Sequence, residues 1–68
     1  MTFGRRLQTL RLQKKVTQLE AADGIGIAVG SLNTYEHDGA SPKLVIAQLI
    51  ANYYQVSLDY LASGRGSK

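Results

Sequence analysis

Apolar residues recur along this chain at spacings of three and four, the period of a helix with one buried face, and no segment gives a strand signal. Phe3, Leu7 and Leu10 form the first stripe, and Thr2 precedes them as a capping hydroxyl, which predicts a helix over Phe3–Lys14. A second helix opens at Thr17. In Thr17-x-x-Glu20 the threonine oxygen takes one free backbone N–H and the glutamate reaches back for another. Ala21, Ala22 and Ile25 form its inner face, and Gly26 ends it where a positive φ is easiest for glycine. A third helix is expected over 28–36, with Leu32 and Tyr35 inward and Val29, Gly30, Ser31, Asn33 and Thr34 outward. Asp38-Gly39 reads as a turn in a loop over 37–40. Ser41-Pro42 reads as the start of a fourth helix, with serine as cap and proline at the first helical position. Its inward face is expected to hold Leu44, Ala47, Ile50 or Ala51, and Tyr54, and it stops near Gln55. Ser57 caps a short fifth helix with Leu58 and Leu61 inward. The expected fold class is therefore all-α, a compact bundle of five short helices in one domain over 1–63, followed by a flexible tail over 64–68.

Within this bundle the segment from Thr17 to His37 has a particular design. Two helices joined by a short glycine-containing turn, the second exposed on one side, make the helix-turn-helix unit that enters the DNA major groove. Such a unit needs a small residue where the helices cross, glycine at the turn and apolar residues on both sides. Ala22 supplies the first, Gly26 the second, and Ala21, Ile25, Ile27, Leu32 and Tyr35 the third.

With these residues in view, the chain resembles the Cro-like, lambda-repressor-like (XRE-type) helix-turn-helix family of phage and bacterial regulators, over nearly its whole length. Thr17-Gln18 matches the family's usual Ser/Thr-Gln, Gly26-Ile27 its turn, and Pro42 the proline that opens helix four. Val56-Ser57-Leu58-Asp59-Tyr60-Leu61 resembles the family's ending, including a following glycine. The family often pairs an arginine late in helix one with a glutamate ending the recognition helix; Arg11 and Glu36 stand at those places, where arginine's planar fork suits a bidentate tie. The resemblance implies a sequence-specific double-stranded DNA-binding transcriptional regulator, of repressor type, that lays helix 28–36 in the major groove. It implies a phosphate contact for Gln18 at the start of helix two, beside Thr17, and base-reading positions at Val29, Gly30 and Thr34.

Several residues depart from the family's pattern. Ala28 replaces the polar cap of helix three, which costs around 1 kcal/mol. Gly24 and Gly30 lie inside helices, each costing about 1 kcal/mol relative to alanine. The outward face of helix three is poor in direct readers. Val29 suits a thymine methyl, Thr34 a methyl or a hydrogen bond, and Asn33 alone has the groups for a bidentate contact with adenine, so contacts to A·T pairs are expected.

Charge sharpens this picture. The 68 residues carry a formal net charge of +3, a basic balance compatible with nucleic acid. Arg5, Arg6, Arg11, Lys14 and Lys15 crowd the first helix and its exit, whereas no lysine or arginine lies between Asp23 and Pro42. Phosphate neutralisation then falls to Lys43, Lys14, Lys15 and Arg5 or Arg6, helped by neutral donors Thr17, Gln18, Ser31, Thr34 and Ser41. That predicts weak binding by a monomer and a shallow salt dependence.

Helix four is too apolar for one buried face. Ile46, Leu49 and Tyr53 fall on a second side and, with Tyr60, are read as the contact of a homodimer whose recognition helices meet a pseudo-palindromic operator. The competing reading of the same features is a protein-interaction module, such as an antitoxin or a regulator-binding protein with weak or no DNA binding.

Other classes find little support. The absence of cysteine excludes disulfides and thiolate zinc sites, and a lone His37 makes no metal centre. The acidic residues are accounted for by caps, pairing and turns, so no enzyme, cofactor, metal or small-molecule substrate is expected. No stretch reads as a signal sequence or a membrane span, and the chain is read as soluble and cytoplasmic.

Overall fold

A computed structural model describes residues 1–66 and contains five helices: α1 (Phe3–Lys14), α2 (Gln18–Ile25), α3 (Val29–Glu36), α4 (Leu44–Tyr54) and α5 (Leu58–Ser63). Of the tail expected over 64–68, residues 67 and 68 lie outside the described residues. Leu7, Leu10, Ala21, Ala22, Ile25, Leu32, Ile50, Ala51 and Leu61 form the core, so every helix contributes to it. α1 runs through the middle of the assembly and packs on α3, α4 and α5, while α2 packs on α3 and α4.

Three of the four connections are built alike. Each begins with a left-handed residue, continues with an apolar residue packed on the core, and ends on the N-cap of the next helix. Lys15-Val16-Thr17, Gly26-Ile27-Ala28 and Gln55-Val56-Ser57 are these three units. In each, the apolar residue's N–H returns to a carbonyl five residues back: Val16 to Arg11, Ile27 to Ala22 and Val56 to Ala51. Such closures satisfy carbonyls that the helix end leaves unpaired. Thr17 and Ser57 then accept from the N–H groups of Glu20 and Tyr60, and Glu20 completes the capping box by accepting from the Thr17 N–H. These bonds hold the Glu20 carboxyl below the usual range. Ala28 caps α3 with no side-chain bond.

Two long-range polar ties close the bundle. Asp38, itself left-handed at φ 59°, accepts from the Thr2 hydroxyl at 2.7 Å and from the Gly4 amide at 2.8 Å, which joins the loop after α3 to the start of α1. Arg6 is buried and donates to the Leu61 carbonyl at 3.0 Å, where a cation meets the negative end of α5.

The fourth helix departs from the sequence reading at its start and in its faces. Lys43, not Ser41, is its N-cap, and Leu44, not Pro42, is its first residue; proline's fixed φ serves an extended approach as well as a first helical turn. Ile50 and Ala51 are both buried, and Ile46, Ala47, Tyr53 and Tyr54 flank them half-buried. A face centred there turns the first turn outward. Leu44, expected inside, is 63% exposed, and Val45 beside it is 67% exposed.

Candidate nucleic-acid interface

α2 and α3 meet across small and apolar residues. Ala21, Ala22 and Ile25 of α2 and Leu32 of α3 are buried, and Gly26 (φ 93°) makes the turn between the helices. Gly24 lies directly against the Tyr53 ring of α4: a Cβ there would collide with Cε1 and stand 2.9 Å from Cδ1. The glycine in α2 is thus a close-approach residue. Gly4 has the same role between α1 and α3, where a Cβ would strike the Glu36 carbonyl oxygen and stand 2.8 Å from that of Tyr35.

α3 is anchored by its far end. Glu36 is buried, and Arg11 grips its carboxylate through Nε (2.7 Å) and Nη2 (3.2 Å) while Nη1 donates to the Val16 carbonyl. The structure therefore brings Arg11 and Glu36 together as a buried pair joining α1 to α3. Gln18 joins this pair. Its Nε2 donates to Glu36 Oε1 at 3.0 Å and to Asn33 Oδ1 at 3.2 Å. Both amide hydrogens that sequence reasoning assigned to a phosphate are thus occupied within the protein, and what Gln18 retains for a phosphate is its main-chain N–H in the first turn of α2. No local signal marked the link from Gln18 to Asn33, because it joins residues fifteen apart across two helices.

The outward face of α3 carries Val29, Gly30, Asn33 and Thr34, all exposed, with Ser31 half-buried beside them. A Cβ at Gly30 would meet nothing within 4 Å. The Thr34 hydroxyl donates back to the Gly30 carbonyl at 2.9 Å, so its methyl and its acceptor lone pairs are what it offers outward. Thr17 and Lys43 are exposed at the N-caps of α2 and α4. Of the cations expected to meet phosphate, Arg5, Lys14, Lys15 and Lys43 are exposed. Arg6 is not, since its guanidinium is committed to Leu61 and to the Met1 carbonyl. Lys14 Nζ sits 5.0 Å from the centre of the Tyr53 ring.

The residues expected to form a dimer contact differ in exposure. Tyr53 is packed on Gly24 and stands edge-on to Tyr54, with ring centres 4.9 Å apart. Ile46 and Tyr60 are half-buried against the core, and Leu49 alone is exposed. The large apolar residues exposed on α4 are Leu44, Val45 and Leu49. Among the described residues no group of acidic or histidine side chains is placed to hold a metal ion, and no helix is long and apolar enough to cross a membrane.

Two short helices crossed on small residues, the second held from behind and free on its outer face, define a helix-turn-helix domain of the lambda-repressor-like fold. The chain belongs to the helix-turn-helix family, whose profile matches residues 7–61. It is similar to the HTH-type transcriptional regulator ImmR of Bacillus subtilis (strain 168), with 38% identity over 61 residues, 90% of this chain and 48% of that protein. It is also similar to the cryptic phage CTXphi transcriptional repressor RstR of Vibrio cholerae, with 33% identity over 61 residues, 90% of this chain and 55% of the repressor. The chain thus spans about half the length of these relatives. Among solved structures it matches the P22 c2 repressor protein in complex with synthetic operator 9T, with a TM-score of 0.92 and 22% identity, covering 96% of this chain and 98% of that one. At that identity the match establishes the fold.

Proposed function

We propose that this chain is a sequence-specific double-stranded DNA-binding domain of a transcriptional regulator, of repressor type, that lays α3 in the major groove of a pseudo-palindromic operator as a homodimer. The observation that carries this reading is the division of α3 into two sides. Leu32 and the Arg11-bound Glu36 fix it to the bundle, while Val29, Gly30, Asn33 and Thr34 take no part in the core. A helix held this way presents a rigid edge to base pairs. The relatives named as transcriptional regulators, and the repressor solved on its operator, support the same reading.

Positioning contacts come from the first turn of α2 at Thr17 and Gln18, from Ser31, and from Lys43. Self-association uses Leu49 with Ile46, Tyr53 and Tyr60, extended by the exposed Leu44 and Val45 of α4. The activity is binding, without a catalytic step, and its place of action is the cytoplasm, where the DNA of a bacterial or phage regulator lies.

Selection from a random duplex library, followed by titration at several salt concentrations, tests this. The expected result is an enriched motif with two-fold symmetry. An absence of any enriched motif would overturn the DNA-reading function and favour a protein-interaction module, with Leu44, Val45 and Leu49 as the surface to probe.

A further inference from the structure

The end of α3 carries a titratable group that the interface described above does not use. His37 is the C-cap of α3 and is exposed. It follows Asn33 by four residues and Thr34 by three, so it continues the outer side of the helix. Its Nδ1 lies 2.8 Å from the main-chain carbonyl oxygen of Asn33. A carbonyl oxygen only accepts, so Nδ1 holds a hydrogen and donates it. In the neutral ring this places the lone pair on Nε2, across the ring from that bond. Neutral His37 therefore presents an acceptor outward, which a phosphate oxygen repels. With a proton on Nε2 the same atom becomes a charged donor, and the bond to Asn33 is unchanged.

We infer that His37 is a phosphate contact that works only as a cation, so that DNA binding takes up a proton at this residue. The inference rests on the DNA-binding reading above. A helix-turn-helix meets base edges with the N-terminal part of its second helix, which leaves the C-terminal end of the same stripe to the sugar-phosphate backbone. No lysine or arginine lies between Asp23 and Pro42, so an imidazolium is the one positive side chain this stretch can present. Histidine gains its proton between about pH 5 and 8, so the charge is available near neutrality. The charged groups around this corner leave the ring for an outside partner. Glu36 before it is taken up by Arg11 of α1 and by Gln18. Asp38 after it is taken up by Thr2 and Gly4 at the start of α1, where the exposed Arg5 follows. α2, also packed on α3, carries Glu20, closed onto Thr17, and Asp23.

His37 is the one histidine in the 68 residues, so the imidazole proton resonances report a single site. The test titrates the 68-residue chain from about pH 5.5 to 8.5, free and bound to a duplex taken from library selection. The imidazole is expected to keep its proton to higher pH in the complex than in the free chain. Affinity for that duplex should be about tenfold greater near pH 6 than near pH 8, since linked uptake of one proton changes K by up to about tenfold per pH unit. The slope of log K against log salt should be steeper by about 1 at the lower pH, as one further phosphate is neutralised. His37→Ala is expected to lose both differences, and His37→Lys to show the steeper slope at both pH values. Thermal melts of the free proteins near pH 6 and pH 8 should coincide, because the Asp38 clasp loosens only at more acid pH. An imidazole that titrates alike in the two states, or at lower pH in the complex, overturns the inference, as does a pH gain retained in His37→Ala. A gain in affinity with no change of salt slope overturns phosphate as the partner. Each of these leaves the DNA-binding reading standing, whereas a library with no enriched motif overturns both.

Discussion

The Asp38 carboxylate accepts the amide of Gly4 across 34 residues, at 2.8 Å, and so completes the first turn of α1 from the far side of the helix-turn-helix. Its other oxygen takes the Thr2 hydroxyl, and Thr2 in turn accepts from the Arg5 amide. These two donors hold the Asp38 carboxyl below the usual aspartate range, the hydroxyl contributing most. A group depressed in the folded state contributes stability above its unfolded pKa and loses it as pH falls through the folded value. The melting temperature is therefore expected to fall on acidification from about pH 5 to pH 2, and Asp38→Asn is expected to flatten that fall. Equal slopes for the two proteins in thermal melts across that range would show that the clasp carries no linkage.

Arg11→Ala leaves a carboxylate with a fully buried side chain and no cation. Removing one partner of a buried pair costs about 3–5 kcal/mol, most of the stability of a domain this small. Urea titration should find the variant largely unfolded. Glu36→Gln is expected to cost less, since its amide oxygen still accepts from Arg11. A loss below about 1 kcal/mol in Arg11→Ala would mean that Glu36 finds water instead.

Three helical glycines should respond differently to the same change. Alanine is favoured over glycine in a helix by about 1 kcal/mol. Gly30 has open space around it, so Gly30→Ala is expected to gain that amount. Gly24→Ala drives a methyl into the Tyr53 ring and is expected to destabilise, and Gly4→Ala meets backbone of α3 that cannot move aside and should be the worst of the three. Denaturant midpoints in the order Gly30→Ala, wild type, Gly24→Ala, Gly4→Ala are the expected outcome; any gain at Gly4 contradicts it.

Lys43 and Arg6 separate the two roles of basic residues in this chain. Lys43 is exposed at the cap of α4, and Lys43→Ala is expected to lower the slope of log K against log salt by about 1 on a selected duplex, with little change in stability. Arg6→Ala should do the reverse, lowering the melting temperature through loss of the Leu61 tie while leaving the salt slope unchanged. An unaltered slope in Lys43→Ala would remove that residue from the phosphate contacts.

The helices were legible because their signals are local. Thr17 and Glu20 are three residues apart, Leu7 and Leu10 share one turn, and Gly26 marks its own left-handed φ. What escaped sequence reasoning joins distant residues or lacks a glycine marker. Asp38 to Gly4, Arg6 to Leu61 and Tyr53 to Gly24 each depend on how whole helices cross, which periodicity does not encode. Lys15 and Gln55 adopt the left-handed conformation without being glycine, and the readable sign is the pattern after them, an apolar residue then a capping hydroxyl. Leu44 was misplaced at the start of α4 because nearly all residues there are apolar, so the pattern had no polar contrast to mark where the inner face begins. At the candidate interface, the exposed positions on α3 followed from the burial of Leu32, whereas the bond from Gln18 to Asn33 depends on how α2 and α3 cross.

The outer face of α3 divides into residues the fold ignores and one that it holds. Val29 and Gly30 make no side-chain bond to the rest of the described chain, while Asn33 is tied through Gln18 to the pair that secures the helix. If α3 reads DNA as proposed, residues 29 and 30 can be exchanged one at a time without compensation elsewhere. A change at position 33 also removes the acceptor of the Gln18 amide, so it disturbs a bond that the fold itself makes.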